Sequence, residues 1–63
     1  MRNNIRVEGD RAFVECATWA EAYAAVERLV DRGIGTQRPD SECGVIVLLG
    51  GSVTVARIRR ALS

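Results

Sequence analysis

The sequence predicts a small α+β domain of ββαβα order: a three-stranded mixed sheet, made of an N-terminal hairpin plus one strand parallel to its second strand, with two helices. Three observations lead there. Two short segments of alternating polar and apolar residues flank Gly9-Asp10, apolar residues recur at helical spacing over residues 19–32, and a wholly apolar run at 45–49 precedes a second helical pattern.

Gly9-Asp10 fits a two-residue loop with glycine at the first turn position, the type II′ preference. Such a loop fixes the register, pairing Glu8 with Arg11, Val7 with Ala12, Arg6 with Phe13 and Ile5 with Val14. One face then carries Ile5, Val7, Ala12, Val14 and Cys16 and is the core face. The other carries Asn4, Arg6, Glu8, Arg11, Phe13 and Glu15. Next, Thr18 and Glu21 form a capping box ahead of an apolar helical stripe of Trp19, Ala22, Tyr23, Val26, Leu29 and Val30. Alanines at 20, 22, 24 and 25 favour the helix and permit close approach to a sheet. Gly33 stops it as a left-handed C′ residue, with Ile34 packing back on the last turn as in a Schellman ending.

Residues 35–42 are polar and punctuated by Gly35 and Pro39, so they form a surface loop, either functional or mobile. The run at 45–49 is apolar without alternation and reads as a strand buried on both faces, where a charge at Leu48 is expected to break folding or assembly. Gly50-Gly51-Ser52 turns the chain into a helix from Val53 to about Leu62, with Ser52 as N-cap. The first helix, about 21 Å long for 14 residues, runs back past the second strand and sets the third strand parallel to it, beside either the first or the second. Cys16 and Cys43 then lie at opposite ends of the sheet, beyond disulfide reach.

Sixty-three residues make one domain with a marginal core, of the kind that disulfides, metals or oligomerisation commonly support. With 48% apolar and 27% charged residues the chain is globular rather than disordered. No export signal opens it and no apolar run approaches the roughly 20 residues of a membrane span, so a soluble, cytoplasmic protein with reduced thiols is expected. All nine basic residues are arginine, and the net charge of +1 is too small for generic nucleic-acid binding. The charge is uneven, however: residues 35–63 hold four Arg and two acids.

Chemistry is scarce. Histidine is absent and the two cysteines are 27 positions apart, so no zinc site is expected, and no cofactor. No Ser or Cys has an evident base. Gly50-Gly51-Ser52 matches neither a nucleophile elbow nor a phosphate loop, although a helix N-terminus there could attract an anion weakly. No acid sits in the apolar setting that a catalytic carboxylate needs to hold a proton. The chain is therefore read as a non-enzyme.

Three surfaces remain. Val45, Val47 and Leu49, on a doubly apolar strand at a sheet edge, are the expected homodimer interface. On the second helix Val55, Ile58 and Leu62 form the apolar stripe, leaving Arg57 and Arg60 on the far side and Arg59 at the flank. They are either cations suited to a helix C-terminus or a basic contact surface. Phe13 is core if the second helix covers its face. Otherwise it is an exposed aromatic among Arg6, Arg11 and Arg2, suited to a protein hot spot or a stacked base. The leading expectation is a protein-interaction module acting as a homodimer, with Arg6, Arg11, Phe13, Arg57, Arg59 and Arg60 meeting the partner. Small regulators and inhibitors of phages and mobile elements share this size and lack of motifs. The alternative is a small nucleic-acid-binding regulator using the Arg-rich helix or the Phe13 face.

Overall fold

The computed structural model describes residues 4–39 and 41–63; Arg2 lies outside them. Strands β1 (Asn4–Glu8) and β2 (Arg11–Glu15) form the expected hairpin in the expected register. Gly9 has φ 60°, and among the described residues only glycines have positive φ, which is the type II′ pattern at this turn. Helix α1 (Trp19–Asp31) starts at its capping box. The Glu21 N–H donates to Thr18 Oγ1 at 3.1 Å, while Glu21 Oε2 accepts from the Ala17 N–H at 2.8 Å. It ends as a Schellman motif: the Ile34 N–H reaches the Leu29 carbonyl and the Gly33 N–H that of Val30, each at 2.9 Å, with Gly33 at φ 76°.

Strand β3 (Gly44–Leu48) corrects the topology. It lies beside β2 and antiparallel to it, giving the order β1-β2-β3 with every pair antiparallel. The reason lies in the segment after α1. Past the Schellman ending, the ten residues 34–43 at about 3.3 Å each reach roughly twice the length of a five-residue strand, so the chain has enough length to travel back along the sheet before β3 begins. It does so along the outer edge of β3, where Gln37 and Ile46 exchange two backbone hydrogen bonds of 2.8 and 2.7 Å. What the sequence presents as loop is a return path that also caps the middle of an edge strand.

Reversing β3 brings the cysteines together. The Cys16 N–H donates to the Cys43 carbonyl at 3.2 Å, one step beyond the Glu15–Gly44 pair, rather than the two lying at opposite ends. Their thiols are half-buried and not joined.

Helix α2 (Val55–Leu62) also begins later than expected. Gly50 and Val53 close a tight turn, and Thr54, not Ser52, is the cap, its Oγ1 accepting from the Arg57 N–H at 3.2 Å. The glycines thus serve a turn and not a helix N-terminus.

Both helices cover one face of the sheet. Ala12, Val14, Val45 and Val47 lie fully buried in one cluster with Ala22, Ala25, Leu29, Ile34, Ile58, Ala61 and Leu62. Burying Leu29, Ile34 or Ile58 contributes roughly 1.5–3 kcal/mol each relative to exposure. The opposite face carries Arg6, Glu8, Arg11 and Glu15, and covering those charges would cost more than its few apolar groups return. The doubly buried reading of β3 is corrected accordingly: Ile46 is only half-buried and Leu48 is 48% exposed. A charge at Leu48 therefore meets solvent rather than core.

Candidate functional site: the uncovered sheet face

Leaving one face open decides the fate of Phe13. Its ring is half-buried at the centre of that face, directly opposite Ile46 on β3 and Arg6 on β1. Strand alternation puts Arg6, Arg11, Phe13, Ile46 and Leu48 on the same side. Arg6, Arg11, Phe13 and Ile46 line a shallow groove of about 230 Å³ together with Glu8, Pro39 and Glu42, while Leu48 lies on the same face outside it, in a depression with Gly35, Thr36 and Gln37.

Arg6 spans the groove. Its guanidinium carbon lies 4.9 Å from the centre of the Phe13 ring, a cation–π distance. Its nitrogens reach Glu8 at 3.7 Å, Glu15 at 3.4 Å and Glu42 at 3.3 Å. All four side chains are substantially exposed, so each pair contributes little by itself. Together they place three carboxylates around one cation. Arg11 is exposed and makes no ion pair among the described residues. Beneath the ring is Gly44: a Cβ there would sit 2.6 Å from Phe13 Cζ and would also meet the Val14 carbonyl. The glycine lets the aromatic lie flat across β2 and β3.

The other expected contact residues separate. Arg57 is half-buried in a structural role, its Nη2 donating to the Arg32 carbonyl at 2.9 Å and its Nη1 to Ser52 Oγ at 3.0 Å. It closes the C-terminus of α1, as the Arg28 Nη1 closes that of α2 through the Leu62 carbonyl at 3.1 Å. Arg59 and Arg60 are exposed on α2. Val45 and Val47 are fully covered by the chain's own helices, so a second copy could meet them only by opening the core. Leu49 is half-buried, with its N–H on the Asp10 carbonyl at 2.7 Å.

Sequence reasoning did not find Ile46, Pro39 or Glu42 as groove residues, nor Leu48 as part of the open face. For Ile46 and Leu48 the only available signal was strand parity, hidden because the run 45–49 does not alternate with polar residues. Among the described residues no group of three or more His, Cys, Asp or Glu could hold a metal ion, and no helix is long and apolar enough to cross a membrane. Comparison with protein-family models, with curated proteins and with solved structures gives no match.

Proposed function

We propose that the protein is a non-enzymatic protein-interaction module that receives a partner segment on its uncovered sheet face. The observation that carries this reading is the groove itself: an apolar floor of Phe13 and Ile46 left open by both helices, rimmed by charges of both signs and continued along the same face by exposed Leu48. Apolar anchors inside a polar rim are the anatomy of a protein interface. Arg11, exposed and without an ion pair among the described residues, supplies a cation for a partner carboxylate. A phosphate backbone fits this face less well, because Glu8, Glu15 and Glu42 already surround Arg6 and would repel it.

Exposed Arg59 and Arg60 support a second reading, nucleic-acid binding through α2, although Arg57 is occupied in closing α1. One set of variants separates the two. Arg11→Glu and Leu48→Glu alter exposed positions of the sheet face, while Arg59→Glu with Arg60→Glu alters α2. Loss of a captured partner with the first pair and retention with the second supports the sheet-face reading. The reverse pattern, with a salt-sensitive electrophoretic shift on DNA or RNA, favours α2 and nucleic acid. A partner retained by both sets refutes the groove as the binding site.

A further inference from the structure

Helix α1 has more apolar surface than its own fold uses. Ala22, Ala25 and Leu29 are fully buried, but Trp19 is 46%, Tyr23 54% and Val30 56% exposed, with Val26 half-buried between them. Among the described residues, three of the five large exposed hydrophobic side chains thus lie on one helix. At about 100° per residue, positions 19, 23, 26 and 30 fall within a sector of about 60°, beside the buried stripe rather than opposite it. The helix is apolar on one side for its own core and on the adjoining side for something else.

We infer that this second stripe is a self-association surface, on which α1 packs antiparallel against α1 of a second copy of the chain. Spacings of four, three and four residues read the same in both directions, so a two-fold axis maps the stripe onto itself. It sets Trp19 against Val30 of the second copy and Tyr23 against its Val26, a large ring facing a small branched side chain at every contact. Charge agrees with this register. The Arg38 guanidinium stacks 3.8 Å from the centre of the Tyr23 ring, and the register brings Glu27 of the other copy, next to its Val26, alongside that cation. Asp31 at the end of α1 comes to the N-terminal end of the opposing helix, where a negative charge is favoured.

The apolar area covered is on the order of 300 Å² per copy, taking aromatic side chains at roughly 150–250 Å² each. The two copies together cover about 600 Å² of apolar area, below the roughly 1,000 Å² of a stable interface, so the dimer is weak and transient. The stripe lies in the helical layer, and the sheet faces of both copies stay open in such a dimer. Whatever the sheet face binds therefore has no bearing on it.

Trp19 is the single tryptophan and reports on the contact directly. Sedimentation of the full chain from about ten micromolar to about one millimolar should show a monomer–dimer equilibrium. Over the same range Trp19 emission should move to the blue and lose access to iodide. Val30→Glu, at an exposed position, should leave the circular dichroism unchanged and weaken dimerisation at least tenfold. Adding Trp19→Lys to the same chain should recover part of that loss, because each new ammonium group then faces the new carboxylate of the other copy. A monomer throughout the range overturns the inference. So does a dimer that Val30→Glu leaves intact, or one whose formation leaves Trp19 emission unchanged.

Discussion

Gly44→Ala is the most demanding test of how the sheet is assembled. A Cβ at this position would meet the Val14 carbonyl oxygen and lie 2.6 and 2.9 Å from Cζ and Cε1 of Phe13, where real Cβ contacts essentially never come under 3.0 Å. The ring can swing outward over the open face. The carbonyl cannot follow, because it belongs to a strand paired on both sides, with β1 and with β3. Inserting a methyl group into a filled site costs about 1–3 kcal/mol, and with backbone obstructing it the expected cost is about 2–3 kcal/mol. A domain of this size has only about 3–9 kcal/mol in all. With a urea m-value of about 1 kcal/mol/M, the unfolding midpoint should fall by about 2–3 M. Equilibrium unfolding followed by circular dichroism measures this. Repeating it in a Phe13→Ala background divides the cost, since whatever the ring contributes, about 1 kcal/mol, disappears there while the carbonyl's share remains. A Gly44→Ala protein within about 0.5 kcal/mol of the parent would refute the close approach of the Val14 carbonyl to this position, and a cost unchanged by Phe13→Ala would refute the placement of the ring over this glycine.

Other substitutions test the joints of the fold. Arg57→Ala removes the donors to the Arg32 carbonyl and Ser52 Oγ and should cost about 1 kcal/mol, lowering the melting temperature by about 4–8 °C. Arg59→Ala should leave it unchanged, and equal effects would show that Arg57 does not close α1. Gly33→Ala faces no steric contact but must hold φ 76°, so a loss of about 1–2 kcal/mol is expected, with Gly33→Asn milder. Thr54→Ala should cost about 1 kcal/mol as loss of an N-cap; no change in thermal stability would contradict the observed helix start. Cys16 and Cys43 share a face at opposed positions, where strand Cα atoms stand about 5.5 Å apart, within disulfide range. Oxidised glutathione should therefore convert them by exchange to one intramolecular disulfide, seen by mass spectrometry as loss of two hydrogens and giving about 3 kcal/mol of stabilisation. Stable glutathione adducts on both thiols would show that the sulfurs do not meet.

What the sequence determined by itself is what neighbouring residues settle among themselves. A two-residue loop with glycine first leaves one register for β1 and β2, and Thr18 with Glu21, then Gly33 with Ile34, mark both ends of α1 through bonds spanning a few positions. Three features depended on tertiary structure. The direction of β3 turned on the path of residues 34–43, which can serve as a short link or as a return run, and the return is favoured only once Gln37 finds the backbone of Ile46. The unbroken apolar run at 45–49 fits a strand covered on one face or on two, and the charges opposite it on β1 and β2 decided for one. That choice exposed Phe13 as the centre of a groove. The broad apolar side of α1 names its buried half no more clearly than its exposed one, because helical periodicity gives the direction of a stripe but not how much of it the sheet beneath can cover.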